Sequence, residues 1–205
     1  MKNVDQLKAE GGPEAAQNET PPIVELGNGD IKEDGNEKSL DEQRKKIIQH
    51  VIEMVAVDIS PETKGLDDTE LAEKQKQLKK LPYFPAIRAG DLLEKPGKQT
   101  EFAMAETDKI IGSVSVSFDD WSTEYVSRKG RAVEVAKEIL QATPASLERV
   151  FHTQKPNEQI RLKRVSGPGG DVFFAIDGSH RIAGCKLVGI PEIPAQIEDV
   201  ASQRQ

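Results

Sequence analysis

The residues with the clearest chemistry lie together near the C-terminus, in the run Asp177-Gly178-Ser179-His180-Arg181. An arginine can hold phosphate oxygens with two parallel N–H bonds, and a histidine can donate another bond or carry a proton near neutral pH. A glycine lets a phosphate approach the backbone closely, and a serine hydroxyl can cap a helix or bond an oxygen. Together these residue types are typical of an anion site for phosphate groups.

A strand and a helix must position this run. The preceding residues, Val172 to Ile176, are continuously apolar, which is typical of a strand covered on both faces. From Ile182 to Val188 apolar residues recur at helical spacing, and Gly189 stands in the C-terminal capping position. The first N–H groups of such a helix have no intrahelical partner and the helix dipole makes its N-terminus positive, so the junction should attract anions.

A purely structural interpretation fits the same residues. Ser179 can be only an N-cap, Gly178 only a turn residue, His180 a surface residue, and Arg181 an ion-pair partner of Asp177. The local pattern alone leaves both interpretations open.

The longer stretch from Phe173 to Ile197, FFAIDGSHRIAGCKLVGIPEIPAQI, resembles the signature of the ParB/sulfiredoxin superfamily. That signature is a strand, a D-G-x-H-R turn, a helix containing a small residue, and a G-x-x-x-I-P exit into a last strand. The residues of this chain that match it are Asp177, Gly178, His180, Arg181, Ala183, Gly189, Ile193 and Pro194.

The resemblance implies a nucleoside triphosphate or diphosphate, such as ATP or CTP, with its phosphates on the turn and the helix N-terminus. Gly178, Ser179, His180 and Arg181 would then contact the phosphates. In an enzyme of this type we expect His180 to assist with charge or protons and Asp177 to assist a nucleophile or a bound Mg²⁺ ion. No metal-binding residues are assigned.

The chain departs from two branches of that superfamily. Sulfiredoxins carry their catalytic cysteine where this chain has Ser179, and Cys185 lies about two helical turns further on. Partition proteins of the ParB type carry a DNA-reading helical domain after the motif, whereas this sequence stops at Gln205. We therefore expect neither sulfinic acid reduction nor a partition clamp.

Three functions remain as hypotheses. The first is a nucleotide-dependent phosphotransferase or phosphohydrolase. The second is a non-catalytic, nucleotide-sensing module that meets a protein partner through its N-terminal helices. The third, a nuclease or DNA-binding protein, is not favoured, because the net charge is -7 and the pI is near 5.2.

Composition places the protein in the cytoplasm. The single cysteine, Cys185, excludes an internal disulfide and is predicted to be a buried thiol. No apolar run approaches the roughly 18 residues that span a bilayer, so we expect no membrane partner.

Periodicity predicts an α+β fold, a small mixed sheet with flanking helices. Residues 1–38 read as a disordered acidic tail, 39–109 as a helical extension and loop, and 110–205 as the ParB/sulfiredoxin-like domain. A capping box at Ser39 should begin the first helix, and a second should span Asp68 to Lys80. The remaining elements are a strand from Ile110 to Phe118, a helix over 130–141, and strands over 160–165, 172–176 and 193–197.

Carboxylates and rings form a further group of candidates. Asp119, Asp120 and Glu124 can offer oxygens to Mg²⁺, or simply cap a helix. Trp121 and Tyr125, one helical turn apart, can stack on a base, although core anchoring is the favoured interpretation.

Basic residues downstream form another group, which can extend as a rim toward phosphates or can be solvated side chains that protect a strand edge. They are Arg149, His152, Lys155, Arg161, Lys163 and Arg164.

Overall fold

The computed structural model describes residues 34–85, 100–114, 120–122 and 130–200. The predicted tail up to residue 33 and the predicted strand beyond Val114 lie outside the described residues. Within them, none of the helices has the length and apolar content needed to cross a bilayer.

Three helices open the described chain. They are α1 (Asp34–Val57), α2 (Pro61–Lys64) and α3 (Asp68–Lys76), and a 3-10 turn over Gln77–Lys80 continues α3 as predicted. The start of α1 at Ser39 was wrong, because the backbone is helical from Asp34 onward and Ser39 lies within the helix. Helix propagation adds one hydrogen bond for each residue fixed, so a strong amphipathic helix extends upstream through poor helix formers.

Helix α1 packs its apolar stripe into the main core of the protein. Ile48, Val51, Met54 and Val55 are buried there. This apolar face is therefore already covered, and a protein partner of α1 would have to bind its polar side.

A mixed sheet of six strands stands in the middle of the described residues, in the spatial order β1-β3-β5-β4-β6-β2. The strands are β1 (Phe84–Pro85), β2 (Thr100–Glu106), β3 (Ile110–Ser113), β4 (Arg161–Gly167), β5 (Gly170–Asp177) and β6 (Glu192–Asp199). Strand β5 runs parallel to β3 and antiparallel to β4, while β6 runs parallel to β4 and antiparallel to β2. The fold is α+β, as predicted.

Three further helices are α4 (Arg131–Leu140), α5 (Pro144–Phe151) and α6 (Ser179–Val188). Helix α6 lies close against α4, at Gly184. A Cβ atom on Gly184 would stand 2.6 Å from Val135 Cγ1 and 2.9 Å from the Ala132 carbonyl oxygen. Only a glycine allows the two helices to pack at this distance.

Strand β5 is buried on both faces, as its apolar run predicted. Phe173 belongs to the main core, whereas Phe174 belongs to a second, smaller cluster with Ile111, Val114 and Val165. Successive residues of a strand point to opposite faces, so β5 separates the two clusters.

Strand β2 and helix α5 were not predicted, and neither were the short elements α2 and β1. Strand β2 lies in the predicted loop from Tyr83 to Lys109 and pairs along its whole length with β6, so the sheet draws residues from both sides of the predicted boundary at residue 110. Helix α5 lies where no helix was predicted. The predicted helix over 130–141 and the strands over 160–165, 172–176 and 193–197 are confirmed within a few residues.

Candidate functional site

The junction between β5 and α6 is a single glycine in the left-handed region. Gly178 has φ 84° and ψ 17°, and its N–H donates to Asp177 Oδ1 at 2.6 Å. A Cβ atom there would lie 3.0 Å from both Arg181 Nη2 and Ile160 Cγ1. Gly178 is therefore required twice, by its backbone conformation and by the side chains packed against it.

Arg181 turns back from the first turn of α6 into the protein. Its side chain is only 8% exposed, and Nη1 donates to the carbonyl oxygens of Glu158 at 2.7 Å and Val150 at 3.3 Å. Burial lowers the pKa of the guanidinium, and the nearby Asp177 charge opposes that shift. Arg181 thus ties α6 to the C-terminal end of α5 and to the 3-10 turn at Pro156–Glu158.

Ser179 is also turned inward. Its hydroxyl is buried 3.0 Å from the Ser113 hydroxyl at the end of β3, and either one can donate. The N-cap residue of α6 is Gly178, so Ser179 is the first helical residue and not the cap. The hydroxyl joins the helix to the sheet.

A cleft of about 420 Å³ opens beside this junction. It is lined from α4, α5, the segment after α5 and the junction itself by Arg131, Glu134, Val135, Glu138, Arg149, Val150, His152, Asn157, Glu158, Asp177, His180 and Arg181. Of the residues predicted for the site, the structure brings Asp177, His180 and Arg181 together in this cleft. Gly178 and Ser179 are not among the residues that line it.

Several of the basic side chains in the cleft lie next to a carboxylate. Arg149 Nε lies 2.9 Å from Glu138 Oε2, and His152 Nδ1 lies 3.3 Å from Glu158 Oε2. Arg131 is exposed at the first position of α4, and its charge contributes to the lowered pKa of Arg181. Arg131 and Arg181 each carry a positive charge at the N-terminus of a helix, where the helix dipole is also positive. Both arginines therefore add positive potential to the cleft.

His152 takes part in this electrostatic arrangement from the C-terminal cap of α5. Its backbone is left-handed, with φ 51°. Burial and the neighbouring Arg181 charge lower the pKa of its imidazole, against the opposing effect of Glu158. Near neutral pH the ring is consequently a neutral donor and acceptor more often than an exposed histidine would be.

The contribution of α4 was missed by sequence reasoning. Arg131, Glu134 and Glu138 lie on the cleft side of α4. Their spacing of three and four residues along the predicted helix was the available signal.

The predicted basic rim does not form one surface. Arg149 and His152 line the cleft, but Arg164 lies on β4 in a separate cluster, where it pairs with Asp199 at 2.6 Å and Glu101 at 2.9 Å. Lys163 is buried in the same strand. Arg149 and His152 therefore belong to the cleft, whereas Arg164 belongs to an ion-pair cluster on β4.

The acidic and aromatic candidates have structural roles where they are described. Asp120 Oδ1 accepts from the Ser122 N–H at 2.7 Å, which is a capping interaction. Trp121 is fully buried and its Nε1 donates to the Pro82 carbonyl at 3.0 Å, which confirms core anchoring. Asp119, Glu124 and Tyr125 lie outside the described residues.

A metal centre is not apparent in the described ranges, which contain no group of three or more His, Cys, Asp or Glu side chains that could hold an ion. Comparison of the chain with protein-family models, curated proteins and solved structures finds no match. The resemblance to the ParB/sulfiredoxin superfamily stays a prediction.

Proposed function

We propose that this protein binds a nucleotide, or a similarly small phosphorylated compound, in the cleft between α4, α5 and the N-terminal end of α6. The observation that supports this most is the placement of Arg131, His180 and Arg181 around a helix N-terminus in one cleft of about 420 Å³. Pockets of roughly 300–1,000 Å³ are the usual size for small-molecule ligands.

The roles of the two arginines differ in this proposal. Arg181 holds two backbone carbonyls and so fixes the walls of the cleft, while its charge favours an anion. Arg131 is exposed at the cleft and is the better candidate for direct contact with phosphate oxygens. Its position at the N-terminus of α4 is unfavourable for the free protein, and a bound phosphate would relieve that repulsion.

The carboxylates of the cleft limit how a polyphosphate can bind. Asp177 and Glu134 would repel it unless a divalent cation lies between them. Mg²⁺ commonly binds one or two carboxylates together with substrate phosphates, keeping several waters, and does not need a dedicated protein cage. Asp177 and Glu134 are therefore the residues that would share Mg²⁺ with a bound nucleotide, and the ion would supply charge neutralisation there.

Turnover is the second candidate, because Asp177 and His180 line the same cleft as the arginines. A histidine in that position can donate a proton to a leaving phosphate oxygen, and Asp177 can orient a water or help to hold Mg²⁺. The same cleft without this chemistry would serve as a nucleotide sensor.

The test is a thermal-unfolding titration with ATP, ADP, CTP and GTP, each with and without magnesium, and with inorganic phosphate. A ligand at 100 times its Kd should stabilise the folded protein by about 2.7 kcal/mol. Arg131→Ala should weaken the binding roughly tenfold, since a hydrogen bond to a charged group contributes about 1.5 kcal/mol.

Arg44→Ala is the matched control, because it removes a guanidinium from α1 that pairs with Asp41 on the same helix and does not line the cleft. It should leave the affinity unchanged. If none of the nucleotides nor phosphate raises the unfolding temperature, or if Arg44→Ala weakens binding as much as Arg131→Ala, the cleft is not the site. Nucleotide consumption measured by phosphate release, and its loss in His180→Ala, separates the enzyme from the sensor.

A further inference from the structure

A second and larger cavity, of about 890 Å³, lies at the opposite end of α6. Its walls come from α1, the segment before β1, the turn between β2 and β3, and the turn between α6 and β6. The lining residues are His50, Met54, Asp58, Leu81, Pro82, Glu106, Thr107, Asp108, Lys186, Gly189, Ile190, Pro191 and Glu192. Its lining is more apolar than that of the cleft at the N-terminal end.

Lys186, in the last turn of α6, supplies the amine of this cavity. Its Nζ donates to the Thr107 carbonyl oxygen and lies 4.9 Å from the centroid of the Trp121 ring. Of the described residues that line the cavity, only Lys186 carries a primary amine. The contacts with Thr107 and Trp121 hold Nζ at a defined place.

The surroundings of Lys186 lower the proton affinity of its amine. Burial lowers its pKa to about 8, although the Asp108 and Cys185 side chains oppose the shift. The other titratable groups of the cavity are His50 on α1, Asp58 just after α1, Glu106 on β2, and Glu192 on β6. His50 and Glu192 lie 3.6 Å apart, and Glu106 pairs with Lys109, so part of this charge is satisfied away from Lys186.

Thr107 provides an independent indication of a ligand. Its side chain is 4% exposed, and its hydroxyl has no hydrogen-bond partner among the residues that the structure describes. A buried hydroxyl without a partner costs about 1 to 3 kcal/mol. Thr107 also lines the cavity, and its backbone carbonyl accepts from Lys186 Nζ, so this hydroxyl belongs to the residue that holds the amine.

We propose that this cavity binds a neutral aldehyde or ketone with an apolar body, and that Lys186 captures its carbonyl carbon as an imine. The Nζ lone pair attacks the carbonyl carbon, the two protons of the neutral amine pass in turn from nitrogen to the former carbonyl oxygen, and that oxygen leaves as water. The C=N bond replaces the C=O bond, nothing is oxidised or reduced, and water reverses the step.

The charge of the cavity selects the class of carbonyl compound. Four carboxylates, Asp58, Glu106, Asp108 and Glu192, line the cavity and outnumber its two basic residues, His50 and Lys186, so an anionic aldehyde is disfavoured. The apolar side chains Met54, Leu81 and Ile190 favour a hydrocarbon or aromatic body. This inference is independent of the cleft at the other end of α6 and of any nucleotide.

The experiment uses the full chain with benzaldehyde as a neutral probe and glyoxylate as an anionic one, at pH 8. Sodium cyanoborohydride reduces any imine to a stable amine, and peptide mass spectrometry gives the modified fraction of each lysine. Lys186 should be modified by benzaldehyde at least tenfold more than Lys109, which is the internal control because its pairing with Glu106 raises its pKa. Glyoxylate should not show this preference.

Two variants sharpen the result. Lys186→Arg retains a cation and a donor toward Thr107 but cannot form an imine, so the preferred adduct should disappear while the other lysines keep their labelling. Thr107→Val should lower the fraction modified at Lys186. The proposal is overturned if benzaldehyde labels Lys186 no more than Lys109 in the wild-type protein. It is also overturned if glyoxylate prefers Lys186 over Lys109 as strongly as benzaldehyde does. Neither outcome requires a variant to fold.

Discussion

A glycine with left-handed backbone angles stands at each end of α6, but the side chains and cavities around the two glycines differ. Gly178 precedes the helix and Gly189 follows it, and both are left-handed, with φ 84° and 77°. A Cβ on Gly178 would contact Arg181 and Ile160 at 3.0 Å, whereas a Cβ on Gly189 would meet nothing within 4 Å. The N-terminal junction is packed, and the C-terminal one is open.

The two cations of the helix follow the same division. Arg181 is fixed by carbonyls of two other segments, while Lys186 reaches one carbonyl across the wall of a large cavity. The hydroxyls differ as well. The Ser179 hydroxyl is hydrogen-bonded to that of Ser113, whereas the Thr107 hydroxyl has no partner within the described part of the chain. A glycine in the sequence therefore predicts a turn, but the residues packed around the turn decide whether the turn is part of the scaffold or of a binding surface.

The largest expected effect comes from removing the N-terminal cation. Arg181→Ala should lower the free energy of unfolding by about 3 kcal/mol, because it leaves the Val150 and Glu158 carbonyls without their donor. Urea denaturation at pH 7 measures the loss. Lys186→Met, the matched change at the other end, should cost far less, since it also removes a buried charge. Equal losses of stability in the two variants would show that the cations at the two ends of α6 do not differ in their structural role.

The glycines give the next largest difference. Gly178→Ala and Gly189→Ala share the cost of a left-handed alanine, about 1 kcal/mol. Gly178→Ala adds overpacking against Arg181 and Ile160, for a total loss of about 2 to 3 kcal/mol. Thermal and urea unfolding of both variants check this order. If Gly189→Ala is the more damaging change, the C-terminal junction is not open as described.

Most of the elements that carry the site could be predicted from the sequence, because each signal was local. The apolar run of β5, the helical spacing in α6 and the glycines at both its ends gave the strand, the helix and its limits. Asp177, His180 and Arg181, which the sequence analysis took together, all line one cleft. The inward path of Arg181 could not be predicted, since its acceptors lie on α5 and on the 3-10 turn, far along the chain.

Helix α5 was missed through an ambiguous signal. The predicted helix over 130–141 ends just before Thr143-Pro144, a pair that can follow one helix or begin the next. Thr143 is the N-cap of α5, with Ser146 completing a capping box and Pro144 in the first turn. Helix α5 contributes Arg149 to the cleft, and its Val150 carbonyl accepts from Arg181. Because the helix was not predicted, its part in the site was not predicted either.

Strand β2 was missed for a different reason. Ala103 and Ala105 are its inward residues, and small side chains give only a weak alternation signal. Its strand conformation depends on pairing with β6, which is a tertiary effect. The cavity around Lys186 was missed with it, since Glu106 and Thr107 lie at and just beyond the end of β2.

The titration of Lys186 should appear in the pH dependence of stability. Its folded pKa of about 8 lies below the value near 10.5 of an unfolded lysine, so the unfolded state binds more protons between these values. Stability should therefore rise with pH, by about 2 kcal/mol between pH 7 and pH 10 relative to Lys186→Met. Urea denaturation of both proteins across this range measures the difference. A constant difference would show that Lys186 is not desolvated.

The smallest expected effects have opposite signs at the two ends. Ser179→Ala should destabilise the protein by about 1 kcal/mol, because it removes a buried hydrogen bond to Ser113, whereas Thr107→Val should stabilise it by a similar amount. Valine matches threonine in shape, and the Thr107 backbone bonds to Lys186 and Pro191 are kept. Differential scanning calorimetry resolves shifts of this size. Stabilisation by Thr107→Val would mean that the hydroxyl is retained at a cost to the free protein, as expected of a group that a ligand completes, whereas destabilisation would show that the hydroxyl already has a partner in solution.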